Sequence, residues 1–113
     1  MKKVRIKNHT PHPVCVCGEV IKPQPNPARV KQEVKEIETI SFHGKEIPIT
    51  VSTYSDGVYI PARKDGIIHV VSKIVAEAYP DRDDFVIPNE IERDENGNIT
   101  GCKSLAVLHE PSE

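Results

Sequence analysis

The chain has 113 residues, enough for one domain at the usual size of about 100–150 residues and too few for a multi-domain enzyme. Its 15 Lys and Arg against 17 Asp and Glu leave a formal net charge of −2, which argues against duplex DNA or an anionic membrane as the main partner, since both select a strongly basic surface. Hydrophobic residues are 37% of the total and Trp is absent, so the core is thin, and a second subunit or a tightly bound ligand is expected to help hold it, with a homo-oligomer the simpler expectation.

The first residues are basic but reach Asn8 and Pro11 before any apolar signal-peptide core can form, and no run approaches the roughly 18–20 apolar residues of a membrane span. A cytoplasmic protein with reduced thiols is expected: Cys15, Cys17 and Cys102 cannot all pair, and Cys15 and Cys17 are too close for an ordinary bridge.

In chain order, Val4 to Ile6 and Val14 to Val16 are the first strand candidates, and Gly18 offers a turn before Val20 and Ile21. Residues 22–27 alternate with Pro23, Pro25 and Pro27 and form a stiff solvated loop. Residues 28–41 place Val30, Val34, Ile37 and Ile40 at helical spacing, yet their β-branched content and flanking turns favour a long exposed strand. His43-Gly44-Lys45 turns it into Glu46 to Val51, where Pro48 calls for an edge or a bulge. Turn signals at Ser55-Asp56-Gly57 and Lys64-Asp65-Gly66 precede Val58 to Ile60 and a buried strand at Ile67 to Val71. Ser72 is placed as the N-cap of a helix over Lys73 to Tyr79 that Pro80 closes, with Ile74, Val75 and Ala78 as its apolar side. Phe85 to Ile87 and Ile99 to Leu108 read as the last strands, with a hairpin at residues 94–98. The fold class is α+β: one small domain over residues 1–113, mainly antiparallel sheet with hairpins and one short helix, a proline-rich loop at 22–27 and a short flexible tail at 109–113.

Three clusters bear on chemistry. His9, His12, Cys15 and Cys17 are good zinc donors, but Cys15 and Cys17 lack the two-residue spacing of a zinc knuckle, and buried structural thiols are the plainer reading; no metal is expected. Asp81, Asp83 and Asp84 around Arg82 could hold Mg²⁺, although a guanidinium tying two carboxylates together in a tight loop is the stronger reading. Asp94 to Asn98 echoes a calcium loop without its closing Glu and reads as a hairpin turn. No glycine-rich phosphate loop and no nucleophile elbow occurs. Cys102 before Lys103 reads as a structural thiol and His69 as a core histidine. There remain the cations Arg29, Arg63, Arg82, Arg93 and Lys103 and the rings Tyr54, Tyr59, Tyr79 and Phe85, which as a class can clamp phosphate and sandwich a base.

Asn8-His9-Thr10-Pro11-His12, Pro27-Ala28-Arg29-Val30, Val71-Ser72-Lys73-Ile74-Val75, Arg82-Asp83-Asp84 and Gly101-Cys102-Lys103-Ser104-Leu105, in that order and spacing, carry a resemblance that spans nearly the whole chain. The sequence resembles small phage and prophage proteins that open on Asn-x-Thr-Pro-His and is similar to the Thoeris anti-defence sponges, which capture cyclic ADP-ribose isomers made by a bacterial immune TIR enzyme. The resemblance implies a homo-oligomer in the host cytoplasm that binds a small nucleotide-derived signalling molecule without cleaving it, between subunits, with no cofactor and no nucleic-acid or membrane partner. Arg29 matches the Arg after the first loop and Lys103 stands where Arg is usual; both would hold phosphates. Tyr79 would pack on the adenine, and Asn8 or Asn89 would read a ribose hydroxyl or base edge. Three departures stand out: His9 replaces an aliphatic residue, Cys15 and Cys17 replace Val or Ile, and Lys103 loses the flat guanidinium fork. The rival readings are a nucleotide hydrolase or lyase using Asp83 or Asp84 with His12, and a protein-binding inhibitor that works through an exposed strand edge.

Overall fold

A computed structural model describes residues 3–108. The expected tail at 109–113 lies outside the described residues. The elements are β1 (Arg5–Asn8), β2 (Val14–Val16), β3 (Glu19–Ile21), β4 (Gln32–Phe42), β5 (Lys45–Tyr54), β6 (Ile67–Val70), α1 (Lys73–Ala78), β7 (Phe85–Arg93) and β8 (Ile99–Ala106). This is the mainly β, hairpin-built domain with one short helix that the sequence predicts.

Six strands form one sheet in the order β1-β6-β7-β8-β2-β3. The hairpins β2–β3 and β7–β8 are antiparallel, but the joins β1–β6, β6–β7 and β2–β8 are parallel, an arrangement the local patterns do not reveal. The sheet bends until its two edges meet at Asn8. Asn8 bridges Pro23, its carbonyl accepts from the Gln24 N–H at 2.8 Å, and its side-chain amide donates to the Ile21 carbonyl at 3.0 Å.

Ser72 caps α1 as expected, its hydroxyl accepting from the Val75 N–H. The buried side of the helix is Val75 and Ala76 rather than the expected triplet; Ile74 and Ala78 are half-buried at its margins. With Ala28, Val71 and Phe85, these two form the core, onto which Val30, Ile60 and Tyr79 pack. Burying a Phe contributes about 2–3 kcal/mol, so Phe85 anchors a core otherwise made of small residues.

Two sequence expectations shift. The last hairpin begins with a longer strand, because β7 runs on past Pro88 to Arg93. Pairing with β6 covers only Phe85 and Val86, so Pro88 sits on a stretch of β7 with one neighbour, where its missing N–H costs no ladder bond. Val58 to Ile60 is not a strand; Val58 alone makes an isolated bridge, to Arg29.

The long strand at 32–42 is the largest departure from a compact shape. β4 and β5 pair only with each other, through a two-residue turn at His43 and Gly44 whose φ values of 50° and 76° match the twist of the flanking strands. All residues of β4 and all but the last of β5 are exposed, so the ribbon stands off the body as an arm. The Cα radius of gyration is 17.3 Å, where a compact chain of this length has about 13 Å. The register places Phe42, Ile40, Ile47, Ile49 and Val51 on one face of the arm and Ser41, Thr39, Glu46, Thr50 and Ser52 on the other. Pro48 is tolerated because both strands are edges.

Candidate functional site

The arm meets the body at Arg29 to Lys31 and Ser55 to Val58. Ser55 N–H donates to the Lys31 carbonyl at 2.9 Å, and Arg29 and Val58 exchange both backbone hydrogen bonds, at 3.0 and 2.8 Å. This ladder fixes the Arg29 backbone at the root of the arm and leaves its side chain exposed. Among the described residues that side chain makes no hydrogen bond or ion pair. Two open cavities flank it. One, of about 370 Å³, reaches from Arg29 and Pro27 past Thr10 to Ser72 and Ile74; the other, of about 340 Å³, lies between Arg29, Lys31, Asp56 and Val58.

Tyr79 is connected to this root but has another task than base stacking. Its ring packs edge-on against Phe85, with centroids 6.1 Å apart, and its hydroxyl accepts from the Gly57 N–H at 3.0 Å. A Cβ on Gly57 would run into Ile60 and the Tyr79 hydroxyl. Tyr79 therefore holds the loop that carries Val58, and through Val58 it positions Arg29. One residue past Val58 the ring of Tyr59 is open, 59% exposed and held at φ 58°, a left-handed backbone that costs a non-glycine residue free energy, although Tyr59 lines neither of the two cavities. Composition placed Tyr59 among the available rings; its backbone strain has no sequence signal.

Asn8 is fully buried and fully engaged. Its Nδ2 donates to the His12 and Ile21 carbonyls, and its Oδ1 accepts from the Thr10 N–H and Oγ1 at 2.9 and 2.6 Å. The expected role of reading a ligand is thereby corrected: the amide closes the sheet and has no capacity left for a ribose. Asn89 and Lys103 are exposed on β7 and β8, away from the arm root. Asn89 pairs with Ser104, which puts Lys103 one residue along and on the opposite face of the hairpin. Within one chain, Arg29 and Tyr79 are brought to the same corner, while Asn8, Asn89 and Lys103 are not.

A buried polar cluster lies behind the site. His9 Nε2 is 2.8 Å from His69 Nδ1, and His69 Nε2 points at Asp84 from 3.7 Å with no hydrogen-bond partner. Burial, followed by the His69 and Lys7 charges, lowers the His9 pKa to about 4. His69 is lowered chiefly by burial, against the pull of Asp84. Arg82 grips Asp84 with two bonds of 2.8 and 2.9 Å, donates to the Pro61 carbonyl and lies 4.1 Å over the Phe85 ring. Its hydrogen bonds are the largest cause holding the Asp84 carboxyl below its ordinary range. Asp83 pairs with Arg63 at 2.6 Å. Arg82 therefore grips one carboxylate rather than tying two together, and Arg63, from outside the segment, is the guanidinium that lies near both Asp83 and Asp84.

Among the described residues, no group of three His, Cys, Asp or Glu is placed to hold a metal ion; His9 turns toward His69, and Cys17 donates to the Lys103 carbonyl. No described helix is long and apolar enough to cross a membrane. Comparison with family models, with curated proteins and with solved structures gave no match.

Proposed function

We propose that the protein is a phage-derived binding protein that sequesters a cyclic ADP-ribose isomer immune signal, uncleaved, in sites completed between copies of the chain. The supporting observation is an exposed, unengaged guanidinium at Arg29, rigidly mounted between two cavities of about 370 and 340 Å³. Small-molecule sites commonly occupy about 300–1,000 Å³, and an Arg fork matches two phosphate oxygens at once.

Arg29 would take the pyrophosphate, and the open ring of Tyr59, one residue past the Val58 that pairs with Arg29, would pack on the adenine, the task first assigned to Tyr79. Both cavities lack a wall on the solvent side. A neighbouring copy would supply it, and only from a neighbouring copy could Lys103 or Asn89, which lie on opposite faces of their hairpin, join Arg29. Capture at nanomolar affinity corresponds to about −12 kcal/mol, within reach of desolvated phosphate contacts plus base stacking. The resemblance of the Asn8 to His12, Pro27 to Val30 and Gly101 to Leu105 segments to the anti-defence sponges supports the same reading.

The test is thermal denaturation against a panel of cyclic nucleotides that includes the cyclic ADP-ribose isomers. A saturable rise in melting temperature with one member is expected, because a ligand bound only by the native state stabilises it. A panel without any shift contradicts the proposal.

A further inference from the structure

The arm is fastened to the body at its root and at one place further along. At the root, the Ala28 N–H donates to the His9 carbonyl at 2.9 Å, Val30 packs on the core, and the Gly57 N–H donates to the Tyr79 hydroxyl at 3.0 Å. Further along, Tyr54 donates its hydroxyl proton to Glu77 Oε2 at 2.8 Å. Tyr54 is the one residue of β4 and β5 that is not fully exposed. Among the described residues, no other side chain of these strands makes a hydrogen bond or ion pair to the body beyond the root. The root contacts alone leave the ribbon free to tilt, and a bond made from further along the strand opposes that tilt.

We propose that the arm is a lever that sets the width of the cleft of about 370 Å³ at its root, and that the Tyr54–Glu77 hydrogen bond is its latch. One wall of the cleft is the leg of the arm, Pro27 to Val30; the wall across from it is the start of α1, with Ser72, Ile74 and Val75. Glu77 stands on the same helix, one turn beyond Ile74. The latch thus ties the arm to the element it faces across the cleft, and a change of tilt moves one wall against the other. The helix wall stays put, because Val75 and Ala76 are buried in the core. The latch is a single contact in partly solvated surroundings. The Glu77 side chain is 36% exposed and has Lys73 as an alternative partner at 3.9 Å, so its carboxylate is not stranded when Tyr54 lets go. Arg29 ends the moving leg beside the cleft, so the lever would regulate access to the site proposed above, and it rests on that reading only for the ligand.

Residual dipolar couplings of the full chain, measured by NMR, report how firmly the arm is held relative to the body. In the wild type one alignment is expected to fit both. Tyr54→Phe and Glu77→Ala each remove the latch and lower the ratio of latched to unlatched forms by about tenfold, so the arm couplings shrink while those of the six-stranded sheet stay the same. Glu77→Gln keeps a carbonyl acceptor for the Tyr54 hydroxyl and is expected to hold the arm close to its wild-type couplings. A soluble gadolinium chelate reads the cleft on the same samples: the Val30 and Ile74 methyl signals should broaden more in Tyr54→Phe than in the wild type. Unchanged arm couplings in Tyr54→Phe, a Glu77→Gln arm as loose as that of Glu77→Ala, or cleft methyls indifferent to loss of the latch overturns the inference. Melting shifts with the cyclic ADP-ribose isomers separate the two ideas. A lever that behaves as expected in a protein that responds to no isomer contradicts the sequestration reading alone. A response to an isomer in a protein whose arm stays rigid in Tyr54→Phe contradicts the lever alone.

Discussion

The imidazoles of His9 and His69 meet inside the fold, with His9 Nε2 2.8 Å from His69 Nδ1. One nitrogen donates and the other accepts, an arrangement that needs at least one neutral ring. His9 titrates at about 4 and His69 below its usual value, so as the pH falls from about 6.5 the unfolded chain takes up protons before the native one does. Stability is therefore complete above pH 6.5 and drains away between 6.5 and about 4. Asp84 acts in the same direction lower down, since its stabilisation is present above its unfolded value of 3.8 and is lost as the pH falls through the lower folded value. The melting temperature is expected to be level above pH 7 and to drop on acidification below 6.5, with a shallower drop in His9→Gln. A level profile down to pH 4 contradicts the neutral histidine pair.

Asn8 ties the two edges of the sheet together with four hydrogen bonds at zero exposure. Asn8→Ala strands the buried groups it served, at about 1–3 kcal/mol for each one left without water, so a total loss of about 2–4 kcal/mol is expected in urea unfolding. Asn8→Ala as stable as the wild type would show that the sheet closes without it.

Gly57 and Tyr79 form one contact that sets the position of the arm root. Gly57→Ala forces the loop off Ile60 and the Tyr79 hydroxyl and should cost about 1–3 kcal/mol. Tyr79→Phe removes only the acceptor for the Gly57 N–H, about 1 kcal/mol, and keeps the packing on Phe85. If Tyr79 acts through Arg29, Tyr79→Phe loosens nucleotide binding by a few-fold at most, whereas a stacking role for the open ring makes Tyr59→Ala the more damaging change, at about 1–3 kcal/mol. Paired titrations of the two variants rank them.

Much of the strand framework is legible in the sequence because its signals are local. The β-branched content and flanking turns of β4, the His43-Gly44 turn and the Ser72 cap each depend on residues a few positions apart. The parallel joins of β6 to β1 and β7 depend on distant pairing, and the length of β7 depends on where β6 stops beside Pro88; neither leaves a local trace. The site divides in the same way. Residue type alone leaves Arg29 one of five cations, and it is the resemblance, matching it to the Arg after the first loop, that singles it out. The structural role of Asn8 and the open ring of Tyr59 follow from burial and from a positive φ, which a side-chain pattern does not encode.

Mass spectrometry of what the loaded protein releases on heating, for the wild type and for Arg29→Ala, probes capture most directly. Wild type incubated with the cyclic ADP-ribose isomer that raises its melting temperature should release that molecule intact. Arg29→Ala, whose side chain supports no other described contact, should keep its unliganded melting temperature and bind about 10–100-fold more weakly, the range for a lost charged hydrogen-bond pair. Release of a cleaved product, or equal retention by Arg29→Ala, would contradict sequestration at the root of the arm.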